Sequence, residues 1–233
     1  IRDSLYEECG EECLSRLNGM FSFAIWNEQT NILFLARDRL GIKPLYYYIL
    51  NGEFAFASEI KALLKIAPFH PAPDDHALQS YILLQYTLDE RTLFRNIRRL
   101  LPGHCLSISA ADVAQARIHP RCYWDISYNL DTDHDETYFL DRVLMLIEDS
   151  VRLRMRSDVP VGCHLSGGMD SSSIVCLAAP LTSGAGLHTF TGAFHEGNRY
   201  DETAYARIVA KHAGTNHHEI YIEASDLEST LYD

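Results

Sequence analysis

The stretch Val159-Pro160-Val161-Gly162-Cys163-His164-Leu165-Ser166-Gly167-Gly168-Met169-Asp170-Ser171-Ser172-Ser173 constrains this 233-residue chain more than any other. Val161 to Leu165 is short and mostly apolar, the pattern of a buried strand. Gly167-Gly168 supplies a tight turn where a side chain would obstruct a ligand. Asp170 and the three serines suit a first helical turn, and Ile174 to Ala179 continues as a buried helix. A strand that turns into a helix this way offers free backbone N–H groups and a positive helix end to an anion. Serine hydroxyls add donors, and the Asp170 carboxylate suits a metal that bridges phosphates. A plain strand–turn–helix link would explain a glycine pair alone. It explains Ser166-Gly167-Gly168-Met169-Asp170-Ser171 less well, because five of those six positions are polar or glycine on an anion-facing turn. The Walker ending Gly-Lys-Ser/Thr is absent, so no lysine of that kind reaches the β and γ phosphates.

The rest of the second half supports a parallel sheet. Leu187 to Phe194 reads as a strand, Thr203 to His212 as a helix opened by Tyr200-Asp201-Glu202 and capped by Gly214, and His217 to Ile222 as the next strand. Strands separated by helices imply right-handed parallel crossovers, with the glycine turn at the carboxyl end of a strand, where open α/β sheets bind ligands. The turn resembles the pyrophosphate-binding loop of ATP-dependent adenylating enzymes, which cleave between the α and β phosphates.

The first half reads differently. Leu5, Cys9, Cys13 and Leu17 recur at helical spacing and predict one amphipathic helix, ended by Asn18-Gly19. Cys9 and Cys13 lie one turn apart, a packing pair rather than a ligand pair. Met20 to Trp26 and Ile32 to Arg37 form a hairpin. Both strands are nearly continuous apolar runs, so the sheet should be covered on both faces. Pro44 to Leu50 and Glu53 to Ser58 form a second hairpin about Asn51-Gly52. The charged loop Arg37 to Pro44 reads as a polar connection, with contact to a substrate or partner domain as the sharper alternative. A short helix runs from Ser58 through Leu64, and Leu63 to Pro73 is a connector. A helix from Ala77 to Leu84 takes Asp74 or Asp75 as its cap, and a strand covers Cys105 to Ser109. The basic run Thr92 to His104 has Phe94 as its one aromatic, not an interleaved stacking platform, and reads as a solvated turn, not an RNA site.

Leu17 to Trp26, Ala36 to Tyr47 and Phe56 to Leu63 together resemble the glutaminase domain of glutamine-hydrolysing asparagine synthetases. The Pro102-Gly103-His104 turn and Arg121-Cys122-Tyr123-Trp124-Asp125 resemble that domain's last strand and its exit. The strand–Ser-Gly-Gly-x-Asp-Ser–helix–strand order resembles the synthetase domain of the same family. The resemblance implies the C-terminal portion of an α+β N-terminal-nucleophile glutaminase domain, antiparallel sheets with helices, over residues 1–125. A linker at 126–136 follows, then only the N-terminal portion of the synthetase domain, an α/β adenine-nucleotide α-hydrolase-like part over 137–233, with a parallel sheet and a pyrophosphate-binding loop. In that linker, Asn129 to Asp135 is acidic and polar. Thr137 to Arg156 is an amphipathic helix with the stripe Phe139, Val143, Ile147 and Val151.

Carried onto this chain, the resemblance makes Ser166, Gly167, Gly168, Asp170 and Ser171 the ATP-phosphate contacts, with Leu165 beside the adenosine and Asp170 holding Mg2+. A second adenosine contact falls on Gly192, where the family has a branched apolar residue, so only its backbone would serve. The glutaminase nucleophile is the first residue of the mature protein, a cysteine, and Ile1 is not one. Cys9 and Cys13 are internal and lack a free α-amine. No glutaminase catalytic residue is therefore assigned. The chain starts without methionine and stops at Asp233 with a helical pattern still running, so it reads as a piece of a longer protein, inactive by itself. The implied substrates are glutamine, aspartate and ATP, and a homodimer is compatible with the reading.

Charge and cysteines bound the alternatives. Net charge is −12, which argues against a nucleic-acid partner. Residues 1–123 carry 13 basic and 14 acidic side chains, whereas 124–233 carry 7 and 18, so the acidity lies in the second part. Six cysteines without Cys-x-x-Cys, and no leader pattern before them, read as reduced, mostly buried thiols in the cytoplasm. No apolar run approaches the length of a membrane span. His217-His218 are neighbours on a strand and point to opposite faces, which makes them poor joint metal ligands. Two other functions stay open: a related amidotransferase or cyclase acting on a different carboxylate, and a degenerate, non-catalytic nucleotide-binding module.

Overall fold

In the computed structural model, residues 2–68, 70–182, 184, 186–194 and 201–230 are described. They fall into two units, Ile1–Asn129 and Leu130–Asp233.

The first unit opens with α1 (Arg2–Cys9), a 3-10 turn (Gly10–Glu12) and α2 (Cys13–Arg16). The expected continuous helix is broken, because Gly10 sits at φ +58°, a left-handed conformation that interrupts the right-handed spiral. Cys13 and Leu14 still reach the core, packing with Phe21, Phe34 and Cys105. Strands β1 (Ser22–Asn27) and β2 (Ile32–Arg37) form the first hairpin. Strands β3 (Tyr46–Leu50) and β4 (Glu53–Ala57) form the second, turning at Asn51-Gly52. Helices α3 (Ile60–Ile66) and α4 (Asp75–Leu84) follow, and the Asp74 carboxylate caps α4 by accepting from the Ala77 N–H at 3.0 Å. Then come β5 (Arg98–Arg99), β6 (His104–Ser109), α5 (Ala110–Ala114) and β7 (Arg121–Cys122).

Two antiparallel sheets result, ordered β1-β2-β6-β7 and β4-β3-β5. Strand β2 is covered on both faces: Phe34 and Ala36 enter one cluster, Leu35 the other. Strand β1 is not, since it lies at the edge and leaves Trp26 53% exposed. Arg98 and Arg99 lie in a short strand paired with Tyr47 and Tyr46, not in a solvated turn, because the Leu100 N–H continues the ladder onto the Leu45 carbonyl. Helix α5 carries a capping box between Ser109 and Asp112.

The second unit holds α6 (Glu136–Arg154), β8 (Gly162–His164), α7 (Met169–Ala178), β9 (His188–Phe194), α8 (Thr203–Ala213), β10 (Asn216–Ile222) and α9 (Ala224–Thr230). Its three strands are parallel in the order β10-β9-β8. The core is Val151, Leu165, Val175, Ala178, Leu187, Ala206 and Ala210. Of the expected α6 stripe only Val151 enters it. Phe139, Val143 and Ile147 are exposed, because a helical period does not by itself give the stripe a neighbour to pack against. Tyr200 and Tyr232, expected at helix ends, lie outside the described residues. Among the described residues no helix is long and apolar enough to cross a membrane.

Candidate functional site

Strand β8 is only three residues long, and its continuation is pinned to β9. The Leu165 N–H donates to the Phe190 carbonyl at 2.9 Å, and the Thr191 hydroxyl donates to the Leu165 carbonyl. The Leu165 side chain is 1% exposed and sits in the core. This anchoring fixes where the next residues, Ser166 to Ser171, leave the sheet.

Gly167 takes φ +83°, which L side chains rarely adopt. It also lies against the first turn of α8: a Cβ there would meet the Ala206 nitrogen and the Tyr205 Cβ at 2.6 Å. Gly168 is the N-cap of α7 at φ −68°. The two serines tie the turn together. Their hydroxyls lie 3.0 Å apart, the Ser171 hydroxyl lies 3.3 Å from the Ser166 N–H and 3.2 Å from the Gly168 carbonyl, and the Gly168 N–H donates to the Ser166 hydroxyl at 3.3 Å. The Ser172 N–H closes the first helical bond onto Gly168 at 3.0 Å.

What remains is a set of unused groups. The N–H groups of Gly167, Met169, Asp170 and Ser171 find no acceptor among the described residues. The Asp170 carboxylate is exposed and makes no hydrogen bond or ion pair there. Unpaired donors at the positive end of a ten-residue helix form a cradle for an anion, beside a carboxylate free to hold a cation. The Ser172 hydroxyl oxygen is buried without a partner among the described residues.

The structure thus brings Leu165, Ser166, Gly167, Gly168, Asp170 and Ser171 together in one turn. Gly192 lies on the neighbouring strand, two residues past Phe190, opposite Ile220 of β10. A Cβ on Gly192 would meet Ile222 Cδ1 at 3.3 Å, so a larger residue would crowd β10 there. Sequence reasoning missed Thr191 and the approach of Tyr205 and Ala206. The alternation Thr189-Phe190-Thr191, with both threonines buried, is the visible signal for the first. The second is a long-range contact without a local pattern.

On the same sheet, the Arg207 guanidinium donates twice to the Glu219 carboxylate, at 2.6 and 2.7 Å, and this holds the Glu219 carboxyl below its ordinary value. His217 lies 3.0 Å from the Thr189 hydroxyl, whereas His218 stacks on Phe190 and meets His188 at 2.9 Å. The two neighbours have separate partners.

In the first unit, the Arg37–Pro44 loop is held by its own buried groups. Asp38 accepts from the N–H groups of Phe21, Leu40, Ile42 and Lys43 at 2.9–3.2 Å. Arg37 donates to the carbonyls of Gly41, Lys43 and Leu100. Cys9 and Cys13 lie in the α1–α2 region, Cys13 buried.

Comparison with known proteins bears on both units. Residues 4–124 match the family described as glutamine amidotransferase domain, and residues 142–233 match asparagine synthase. The chain is 35% identical over 240 residues to glutamine-hydrolysing asparagine synthetase 3 of Bacillus subtilis, covering 97% of this chain and 38% of that protein. It is 38% identical over 192 residues to asparagine synthetase 1 of the same organism, covering 82% of this chain and 29% of that one. It is also 31% identical over 245 residues to amidase chyE of Penicillium rubens, covering 99% and 35%. The chain spans less than half the length of each of these curated relatives.

Proposed function

This chain belongs to the glutamine-hydrolysing asparagine synthetase family, and from that premise we propose that the protein activates a carboxylate with ATP for amide formation, binding the phosphates at Ser166–Ser171. The observation that carries this reading is the set of four loop N–H groups without acceptors at the start of α7. Glutamine hydrolysis supplies the ammonia. The first unit keeps the amidotransferase match, but no hydrolytic residue is assigned in this chain.

In the proposed reaction, an oxygen of the aspartate side-chain carboxylate attacks the α-phosphorus of ATP. The bond to the bridging oxygen breaks, and pyrophosphate leaves with its electron pair. Ammonia then attacks the acyl carbon of the aspartyl adenylate, AMP departs, a proton is released, and asparagine forms. Gly167, Met169, Asp170 and Ser171 donate N–H groups to the phosphates, with the Ser166 and Ser171 hydroxyls beside them. These donors are held before the substrate arrives, so charge growing on the leaving pyrophosphate meets fixed dipoles. The resemblance puts Leu165 beside the adenosine, but its side chain lies in the core and its N–H and carbonyl are both bonded to β9, while Gly192 offers backbone only. The free Asp170 carboxylate fits a Mg2+ ion. Magnesium, when bound, neutralises phosphate charge.

A second reading has a specific support: the resemblance to amidase chyE covers as much of the chain as that to the synthetases. In it, the same loop activates a different carboxylate. The test is full-length protein with Mg-ATP and aspartate, following pyrophosphate and AMP with ammonia and then with glutamine. Aspartate-dependent pyrophosphate with asparagine as product supports the first reading. Bound ATP without aspartate-dependent pyrophosphate overturns it, and pyrophosphate with another carboxylate then identifies the second.

A further inference from the structure

The first unit contains a cavity of about 640 Å³ that neither the amidotransferase match nor the phosphate turn explains. Its walls come from β3, the segment Glu90–Arg98 and the segment Ala116–Pro120. Tyr47 lines it. The residue is only 2% exposed, yet its hydroxyl makes no hydrogen bond to any described residue. Burial, with Glu90 nearby, pushes this phenol up to about 12, so it stays a neutral O–H donor at physiological pH. The hydroxyl oxygen is not one of the fully buried atoms left without a partner, so it reaches the solvent of the cavity and can donate to a ligand there.

The charged groups around it are unequally committed. Arg98 is spent on Glu90, a close ion pair. Asp74 is engaged as the cap of α4. Arg91 stands 3.7 Å from Asp74 and 3.8 Å from Asp89, and Arg95 stands 3.5 Å from Asp75. Arg95 donates to Asp75 in that contact and Arg91 is ion-paired with two carboxylates, so each guanidinium keeps only its remaining N–H groups for a ligand. The Asn96 amide, without a partner among the described residues, and the His119 ring, which faces the Asp112 carboxylate, also line the cavity. Asn96 and Ala116 both hold left-handed backbone conformations at the rim, with φ 71° and 51°. The uncommitted groups are thus mostly donors, two of them permanent cations. The wall also carries Asp74 and Glu90, and the planar guanidinium groups beside them match the oxygens of phosphate or carboxylate.

We propose that this cavity binds a small molecule bearing a phosphate or several carboxylates, with Arg91 and Arg95 holding the oxyanion and the Tyr47 hydroxyl donating from the floor. The proposal is independent of the nucleotide reading of the second unit. Its test is calorimetric titration of the chain with inorganic phosphate and, separately, with citrate. The variants are Arg91→Gln with Arg95→Gln, Tyr47→Phe, and Ser171→Ala in the phosphate turn, each checked for an unchanged melting transition. The expected result is saturable binding of at least one probe, lost in the double arginine variant and weakened about tenfold in Tyr47→Phe. Ser171→Ala should leave it intact. The stronger probe assigns the phosphate or the polycarboxylate class. Binding that survives the double arginine change in a Ser171→Ala background, binding lost only in Ser171→Ala, or no saturable binding of either probe overturns the proposal.

Discussion

A methyl group on Gly167 would lie 2.6 Å from the backbone nitrogen of Ala206, so the Ser166–Ser171 turn and the first turn of α8 meet with no space for a side chain. This contact is made by backbone on the α8 side and cannot yield as a flexible side chain would. Gly167 also needs its left-handed φ of +83°.

The two loop glycines should therefore respond differently to alanine. Gly167→Ala should cost about 2 kcal/mol in stability and displace the turn from α8. Gly168→Ala meets only the Ser166 hydroxyl oxygen at 3.3 Å and has an ordinary φ, so its cost should stay below about 1 kcal/mol. Because it disturbs a hydroxyl of the cradle, it should still weaken ATP binding. Thermal melts paired with ATP titrations of both variants check the contrast.

Asp38 should make the first unit sensitive to acid. Burial pushes its carboxyl up, but the N–H bonds from Lys43, Ile42, Phe21 and Leu40 outweigh it and hold the carboxyl below 3.8. A depressed folded value means that this stabilisation is complete above the ordinary carboxylate range and is lost as pH falls through the folded value. Asp38→Asn leaves one acceptor oxygen for four donors and should cost about 2–3 kcal/mol at neutral pH. It should also flatten this acid dependence. Urea unfolding against pH, for wild type and variant, measures both effects.

The thiols should react in an order set by burial. Cys122 is exposed, whereas Cys13 and Cys105 are buried, and burial raises Cys105 to about 11. A thiol must ionise to react. Under native conditions an alkylating reagent should modify Cys122 first, with Cys13 and Cys105 reacting only in denaturant. Mass spectrometry of a timed reaction shows the order. Early modification of Cys105 would mean that the β2–β6 core opens more readily than this packing allows.

Local pattern explains what could be read from the residues. Asn51-Gly52 announces the β3–β4 hairpin, Gly214 the end of α8 and Asp74 the start of α4, because each needs only its neighbours. The Ser166–Ser171 turn is equally local, and the structure places it between a strand and a helix. The misses are tertiary. Strand β1 reads as apolar as β2, but it sits at a sheet edge, which alternation cannot reveal. The α6 stripe is a correct helical period, yet a period does not say how much of it finds a neighbour. The two-residue strands β5 and β7 owe their pairing to β3 and β6 and carry no signal of their own. The contact of Gly167 with α8 joins residues about forty positions apart, which the spacing of glycines cannot show.

Ser166–Ser171, as proposed, binds the phosphates of ATP through its own backbone. The direct measurement is an amide-resolved NMR titration of this 26.5 kDa chain with Mg-ATP. The account predicts saturable shifts centred on the amides of Gly167, Met169, Asp170 and Ser171, much reduced in Asp170→Lys, whose ammonium would displace the metal. Saturable ATP binding that leaves those four resonances unmoved would contradict it.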